Sequence, residues 1–334
     1  MIPKVIPALL IATLVLFFAA SPSFAQSTLT LTVTTDKHAY GLSDPVYVGG
    51  SLYYYLSSLY VSDAVVGVEV RNPSGSPFIL RALPTDSSAS QNWLVNFTEF
   101  YPCDSNGVPK YSFQAGESVY LHAEWTNFDD ALAHPVQYGV TIYDANSVSL
   151  GFQSPLYYVL PPNSTQSLTF QVTMIPTSTR GNITLYASLF SDFPRNGGYP
   201  YCPELNATVT IGTATSNIPF ELSSGGTYNF SFKLPSSGVP YGNYIVYAST
   251  YYNIYHNIYY PSTLVTSNAT FHRITVGDIN GDGVVNILDA ILLANAFLAT
   301  PSSSNWNPKA DLNGDGAVNI LDAIILANNF GLGS

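Results

Sequence analysis

Apolar and polar residues alternate along most of the chain, in short runs rich in β-branched and aromatic side chains. This alternation is typical of half-buried β-strands, and turn sequences such as Asn72-Pro73-Ser74-Gly75 separate the runs. Strands are predicted near residues 29–34, 46–54, 65–71, 78–83, 93–100, 118–125, 136–143, 167–174, 182–190, 208–211, 219–222, 228–234, 242–250 and 270–276. The predicted fold class is therefore mainly β, with two immunoglobulin-like β-sandwiches.

The last part of the chain follows a different pattern. Residues 287–299 and 320–330 are apolar almost throughout, and we expect each to form a helix without a charged outer face. A helix that is apolar on all sides is usually buried on all sides, but a module of about 55 residues cannot bury two such helices completely. Part of this surface is therefore expected to contact another body.

The strand pattern also predicts how the β-rich part is divided. Residues 26–100 hold about five predicted strands and residues 213–276 about four, which is few for a complete sandwich. The alternating run Val66–Gly75 resembles macroglobulin-like, immunoglobulin-type modules, and the run Gly226–Phe230 is similar to the continuation of such a module. We therefore expect one discontinuous sandwich made of 26–100 and 213–276, with residues 101–212 as an inserted β-sandwich domain. Three modules in series are the alternative.

Each predicted helix follows a sequence with oxygen-bearing side chains at regular positions. Residues 278–289 and 311–322 both read Asp-x-Asn-Gly-Asp-Gly-x-Val-Asn-Ile-Leu-Asp. An EF-type loop coordinates calcium through positions 1, 3, 5, 7, 9 and 12 and turns sharply at a glycine in position 6. The expected ligands are Asp278, Asn280, Asp282, the Val284 carbonyl, Asn286 and Asp289, and in the second loop Asp311, Asn313, Asp315, the Ala317 carbonyl, Asn319 and Asp322. One such run is often a chance polar turn, but two in register predict two bound calcium ions.

Position 12 is aspartate in both loops, where a general EF hand has glutamate. Together with the Gly-Asp-Gly core and the valine at position 8, this resembles dockerin modules, and we assign residues 277–334 to a dockerin-like calcium-binding module. The resemblance implies docking onto a cohesin domain of another protein, and it implies that loop positions 10 and 11 contact that partner. These positions are Ile287, Leu288, Ile320 and Leu321.

The four residues differ from the Ser-Thr pair of the best-known cellulosomal dockerins. The expected partner of the helices is therefore either a cohesin-like domain or the chain's own β-domain. Calcium is also expected to stabilise the module, because a site that exists only in the folded state adds its binding energy to folding.

Charge limits the classes of partner that the protein can bind, and the N-terminal sequence indicates where the protein is located. Only 9% of the residues are charged and the net charge is −11, so basic patches that would bind nucleic acid are absent from the sequence. Lys4, the apolar run Val5–Ala20 and the small-residue end Ser23-Phe24-Ala25 describe a signal peptide over residues 1–25, with an uncleaved anchor as the alternative. After cleavage we expect no membrane span, and a secreted or cell-surface protein.

Export exposes a chain to oxidation and to glycosylation. Cys103 and Cys202 are the two cysteines, and we expect a disulfide between them near the ends of the inserted domain, with free thiols as the alternative. Asn-x-Ser/Thr sequons predict glycosylation at Asn96, Asn163, Asn182, Asn206, Asn229 and Asn268.

The sequence contains no recognisable catalytic constellation. The histidines have no metal-binding spacing, no Gly-x-Ser-x-Gly elbow occurs, and no carboxyl pair can be placed, so no catalytic residue is predicted. The tyrosine-rich runs 53–55 and 251–260 suit either strand packing or stacking on sugar rings. We expect a non-catalytic protein that docks through its calcium module. The alternative is an accessory carbohydrate-binding or polysaccharide-hydrolysing component of a cellulosome-like complex.

Overall fold

The computed structural model describes residues 29–41, 44–55, 59–86, 93–212, 221–235, 238–252 and 263–332. Within these ranges the protein is mainly β, with two α-helices near the C-terminus, which confirms the predicted fold class. The predicted signal peptide and residues 253–260 of the tyrosine-rich run lie outside the described residues. Neither of the two described α-helices has the length and apolar character that crossing a membrane requires.

The strands of the first half are β1 (Leu29–Leu31), β2 (Thr34–Thr35), β3 (Ala39–Tyr40), β4 (Pro45–Tyr54), β5 (Leu59–Tyr60), β6 (Val65–Arg71), β7 (Pro77–Pro84), β8 (Val95–Cys103), β9 (Ser112–Phe113), β10 (Tyr120–Asn127) and β11 (His134–Tyr143). The later strands are β12 (Ser149–Leu160), β13 (Thr165–Gln171), β14 (Gly181–Phe190), β15 (Leu205–Ile211), β16 (Glu221–Ser224), β17 (Thr227–Lys233), β18 (Gly242–Tyr252) and β19 (Thr263–Arg273). The helices are α1 (Ile287–Asn295) and α2 (Ile320–Asn328).

Two sheets combine strands from both ends of the β-rich part. One has the order β1-β4-β17-β16, with β2 and β5 also paired to β4, and the other has the order β3-β19-β18-β6-β7. β17 runs antiparallel to β4 with Phe230 opposite Val48, and β18 runs antiparallel to β6 with Val246 opposite Val70. These side chains all enter one buried core, because alternate residues of a strand face the same side of its sheet.

The intervening strands form a second pair of sheets. Their orders are β13-β10-β8 and β12-β11-β14-β15-β9. The core of this pair includes Trp125 and Tyr138, which are fully buried and whose ring centroids lie 5.0 Å apart. Strands β1–β7 thus belong to the first pair of sheets, β8–β15 form the second pair, and β16–β19 belong to the first pair again.

Strand β8 lies in a different unit from the one expected. The run 93–100 is expected in the first sandwich, but β8 pairs with β10, with Phe97 opposite Trp125. Alternation predicts that a run is a strand without indicating which sheet receives it, since every half-buried strand has the same period. The second pair of sheets therefore begins before residue 100.

Buried polar groups join the two pairs of sheets. Arg81 on β7 forms an ion pair with Glu204, whose carboxylate also accepts a hydrogen bond from the Ala82 backbone nitrogen at 2.9 Å. The two charged side chains are only 1% and 5% exposed, and the Arg81 guanidinium lies 3.6 Å from the centroid of the Tyr186 ring. A guanidinium that contacts a carboxylate with two nitrogens fixes both groups in one geometry, so this contact orients the two units.

A second buried carboxylate belongs to Glu69 on β6. It forms an ion pair with the Arg71 guanidinium at 2.6 Å and accepts a hydrogen bond from the Arg195 backbone nitrogen at 2.9 Å. Burial raises the pKa of Glu69 above its usual value, because desolvation disfavours the charged form.

The predicted disulfide between Cys103 and Cys202 is wrong, because both thiols are free and buried. Cys103 ends β8, whereas the Cys202 thiol lies against the backbone of Phe97, six residues earlier on that strand. A strand rises about 3.3 Å per residue, so Phe97 and Cys103 are roughly 20 Å apart. A disulfide spans at most about 7 Å between Cα atoms, so the two cysteines cannot bond.

Candidate metal centre and docking surface

Each calcium-type loop leads directly into a helix. The last part of the first loop caps α1, since the Asn286 side chain accepts a hydrogen bond from the Leu288 nitrogen at 2.7 Å and Asp289 accepts one from the Asn286 nitrogen at 2.8 Å. Asn319 and Asp322 form the same reciprocal pair at the start of α2. Such capping boxes satisfy helix N–H groups that have no partner within the helix, which explains why the helices begin at Ile287 and Ile320.

The first residue of each loop organises the turn that follows it. Asp278 Oδ1 accepts hydrogen bonds from the nitrogens of Gly281 at 2.8 Å and Asp282 at 3.1 Å, and its Oδ2 accepts one from Gly283 at 2.8 Å. Gly283 has φ of +93°, a conformation that favours glycine, so position 6 of the loop turns as the sequence predicts. Asp311 makes the same three contacts in the second loop.

The last residue of each loop closes it. Asp289 Oδ1 accepts hydrogen bonds from the nitrogens of Ile279 at 2.7 Å and Asn280 at 3.0 Å. Asp322 makes the corresponding contacts with the nitrogens at positions 2 and 3 of the second loop. Both carboxylates are fully buried, so the short aspartate at position 12 connects the start of the loop to the helix.

The carboxylates at position 5 are stabilised in their ionised form. The pKa of Asp282 is lowered first by a hydrogen bond from the Val284 nitrogen and then by one from the Asn280 amide. The pKa of Asp315 is lowered first by the Asn313 amide. Donors that bond the charged form favour it, so both side chains are anionic at neutral pH.

The donor set fits a hard cation such as calcium. A carboxylate has about four acceptor positions, and the loop N–H groups occupy three of them on Asp278 and three on Asp289, which leaves capacity on each. In the described part of the chain no three His, Cys, Asp or Glu side chains converge as a metal-binding group on their own. The loops supply only three carboxylates each, and the remaining expected ligands are amide and backbone oxygens, which calcium accepts.

The two halves of the module support each other. Position 8 of each loop forms backbone hydrogen bonds with the residues that follow the helix of the other half. These bonds join Val285 to Gly331 and Leu332, and Val318 to Leu298 and Ala299. Val285 and Val318 are also buried in the small core of the module, together with Leu293 and Leu326.

Six large apolar side chains of the two helices are exposed, three on each helix. We call this set the docking surface; it consists of Ile287, Leu288 and Ile291 on α1 and Ile320, Leu321 and Ile324 on α2. The four residues predicted from loop positions 10 and 11 are 63%, 52%, 62% and 51% exposed, so the described β-strands do not cover them. Ile291 and Ile324 were not predicted, although each lies four residues after a predicted contact and therefore on the same helix face.

An apolar groove of about 460 Å³ adjoins the docking surface. It is lined by Ala290, Leu293, Ala294 and Phe297 of the first half and Ala323 and Leu326 of the second. Small alanine side chains leave this space between the helices. The opposite end of the module faces the β-sheets, where Asp278 and Lys309 line a cavity together with Ala39 and His272.

The other predicted positions are distributed over the β-rich part. Asn163, Asn206 and Asn268 are exposed, and Asn96, Asn182 and Asn229 are partly exposed. Tyr252 is buried and its hydroxyl contacts Asp63, and the Tyr251 ring stacks on Tyr199 with centroids 4.5 Å apart. Tyr252 therefore packs within the protein, whereas Tyr251 and Tyr55 are 46% and 71% exposed.

The fold and the loops define a modular protein in which β-sandwich units carry a small calcium-loop module. Residues 276–331 match the family model described as the dockerin type I domain. The chain therefore carries a dockerin domain, which confirms the predicted resemblance. Dockerin domains bind calcium and dock onto cohesin domains.

Solved structures resemble this chain only weakly. The C-terminal domain of Wzt has a TM-score of 0.30 and 11% identity, covering 46% of this chain and 87% of that one. The alkylpurine DNA glycosylase AlkC of Pseudomonas fluorescens has a TM-score of 0.27 and 8% identity, with 36% and 31% covered. A β-glucosidase of Listeria innocua has a TM-score of 0.25 and 12% identity, with 36% and 16% covered. At these scores none of the likenesses bears on function. No curated protein matches the sequence.

Proposed function

We propose that this is a non-catalytic, exported protein whose dockerin domain binds two calcium ions and attaches the β-sheet body to a cohesin-type partner. The observation that carries the proposal is the docking surface. Six large apolar side chains are exposed on two helices whose N-termini are built by the calcium-type loops. Exposed apolar patches of this kind mark contacts with other molecules.

Calcium would supply the positive charge that three carboxylates in each loop require. Asp278 orders the turn, Asp282 stays ionised, and Asp289 ties the loop to α1. Without a cation the acidic side chains of a loop repel one another, so the loaded loop holds the helix start in place more firmly. Asp311, Asp315 and Asp322 serve the second ion in the same way.

The chemistry of the docking surface favours an apolar partner face. Ile287, Leu288, Ile320 and Leu321 have no hydrogen-bonding side chains, so recognition depends on shape and apolar burial. The partner is then bound mainly by the hydrophobic effect, and raised salt should weaken the complex little.

The remaining features describe the body that is attached. Strands from 45–71 and 227–252 share sheets, which supports one discontinuous domain interrupted by a second β-sandwich. A signal peptide over residues 1–25 and glycans at the six sequons would suit an extracellular or cell-surface protein, and three of the sequon asparagines are exposed.

Capture from the native extracellular fraction tests the proposal. The mature chain is immobilised and exposed to that fraction with calcium or with chelator. We expect a cohesin-type protein in the calcium eluate alone, and an identical catch in both arms would contradict docking that depends on calcium.

A variant locates the contact. Ile287→Asp combined with Ile320→Asp should abolish capture, because it places charges in the apolar surface of both helices. Leu94→Asp is the matched control, since Leu94 is also an exposed apolar residue but lies before β8. Capture that persists in the double variant would show that the docking surface is not the contact.

A further inference from the structure

Both loops place glycine directly after a predicted ligand. The dipeptides Asn280-Gly281 and Asn313-Gly314 occupy positions 3 and 4, and two more Asn-Gly dipeptides lie outside the loops, at Asn106-Gly107 and Asn196-Gly197. Asparagine is a thermolabile residue. It is most reactive before glycine, because glycine has no Cβ to hinder the approach of its backbone nitrogen to the asparagine side chain.

Hydrogen bonds engage both reacting groups in the first loop. The Gly281 nitrogen donates to Asp278 Oδ1 at 2.8 Å. The Asn280 side chain is held at both ends by Asp282: its Nδ2 donates to the carboxylate at 2.8 Å, and its Oδ1 accepts from the backbone nitrogen at 2.8 Å. The closed loop therefore restrains the nucleophile through Asp278 and the amide through Asp282.

The second loop repeats these contacts. The Gly314 nitrogen donates to Asp311 at 3.0 Å, and Asn313 is bonded to Asp315 through both side-chain atoms. Asn280 and Asn313 are nevertheless exposed, so water reaches both side chains. Protection of both sites thus depends on the acidic residues that the ion would hold in place.

We propose that Asn280 and Asn313 are deamidation sites whose reactivity is controlled by calcium, slow in the loaded loop and fast in the empty one. The proposal rests on calcium binding by the loops, as proposed above. Opening of a loop is a local unfolding event, and a ligand that binds only the closed form lowers the population of the open form.

The reaction needs only the chain and water. The Gly281 backbone nitrogen attacks Asn280 Cγ, a carbon–nitrogen bond forms, and the side-chain amide leaves as ammonia with the proton lost by the glycine nitrogen. Water then opens the resulting five-membered imide. Cleavage at the side-chain carbonyl gives aspartate, and cleavage at the backbone carbonyl gives isoaspartate.

The two products have different consequences for the loop. Aspartate at position 3 keeps an oxygen ligand, and EF-type loops accept either residue there. Isoaspartate adds one methylene to the main chain, which moves the later ligands such as Asp282 and Asp289 out of step with Asp278. A loop left without calcium would therefore lose its site irreversibly, and the docking surface would lose its support.

Peptide mapping by mass spectrometry tests this in the full chain. The protein is incubated with calcium or with chelator, and conversion to the acid is followed at all four Asn-Gly dipeptides. At a calcium concentration 100 times the dissociation constant the empty loop falls about 100-fold, so we expect at least about tenfold slower conversion at Asn280 and Asn313. Asn106 and Asn196 are internal controls and should change less than about twofold, because no ion orders their turns.

Two further measurements separate the possible failures. A calorimetric calcium titration of the same sample establishes whether the loops bind the ion: a chain that ignores calcium contradicts the proposed function and this inference together. A chain that binds calcium but converts Asn280 and Asn313 equally fast in both arms overturns this inference alone. Asn280→Gln should stop conversion in the first loop only, and a persisting mass change there would show that the assigned site is wrong.

Discussion

The Asp289 carboxylate accepts a hydrogen bond from the Ile279 backbone nitrogen at 2.7 Å, joining position 12 of the first loop to position 2. Asp322 and Leu312 repeat the contact in the second loop at the same distance. Burying a carboxylate is costly unless donors satisfy it, and here three backbone N–H groups meet each one. Both loops are thus partly closed by their own backbone, and an ion would complete the closure.

Removal of the first ligand in each loop should unfold the module while sparing the sheets. In Asp278→Ala combined with Asp311→Ala, each turn loses three acceptor contacts, and each proposed calcium site would lose a charged ligand. We expect loss of the helical circular dichroism signal at a temperature where the β signal persists. Asp130→Ala, at an exposed aspartate outside the module, is the control, and an unchanged helical signal in the double variant would contradict the role of the loops.

The Arg81–Glu204 contact should be a large contributor to the stability of the β-rich part. Breaking a buried pair by removing one partner leaves an uncompensated charge, so Glu204→Gln should lower the free energy of unfolding by about 3–5 kcal/mol in urea denaturation. The control is Asp44→Asn, because the Lys37–Asp44 pair is 50% and 41% exposed and should contribute less than about 1 kcal/mol. Equal losses of unfolding free energy in the two variants would show that the buried pair contributes no more than the exposed pair.

Glu69 should make stability depend on pH. Burial raises the folded-state pKa of Glu69 above its ordinary 4.5, so the folded protein binds more protons than the unfolded chain in this range. Stability from this group is complete below pH 4.5 and is lost as the pH rises through the folded-state pKa. The unfolding free energy of the wild type relative to Glu69→Gln should therefore fall as the pH rises above 4.5. If the difference in unfolding free energy between the two proteins does not change with pH, Glu69 does not make stability depend on pH.

The two thiols should be unreactive in the folded protein and free in the unfolded one. Burial raises the pKa of Cys202 to about 12, and burial also raises the pKa of Cys103. Because the thiolate is the reactive form, an aromatic disulfide reagent at pH 8 should modify the native protein very slowly. After denaturation without reductant both thiols should react at once. A denatured protein without reactive thiols would instead indicate a disulfide.

The strands that could be predicted are those with clear alternation. β10 and β17 follow it closely, and both form where expected. β12 was missed because Gly151 and Pro155 interrupt its pattern, and proline is usually excluded from central strands. It tolerates them because it lies at the edge of its sheet, where one side of the backbone needs no partner strand. Edge position is a tertiary property that no local pattern contains.

The calcium module was easier to predict than the body. Local sequence specifies both the loop turns and the helix starts, because Gly283 and Gly316 turn the loops and Asn286 and Asn319 cap the helices. The disulfide prediction was wrong because it depends on tertiary structure, which local sequence does not specify. Cysteine count and compartment indicate whether a bond is permitted, but distance decides whether it forms, and the distance depends on which sheet β8 joins.

The Val285 nitrogen donates a hydrogen bond to the Leu332 carbonyl, and the Gly331 nitrogen donates one to the Val285 carbonyl, so the final residues of the described chain lie against the first loop. These C-terminal residues hold the first loop in place, although the loop lies more than 40 residues earlier in the sequence. Proteolytic removal of the residues from Gly331 onwards would therefore destabilise the first loop, although all of its predicted ligands would remain in the chain.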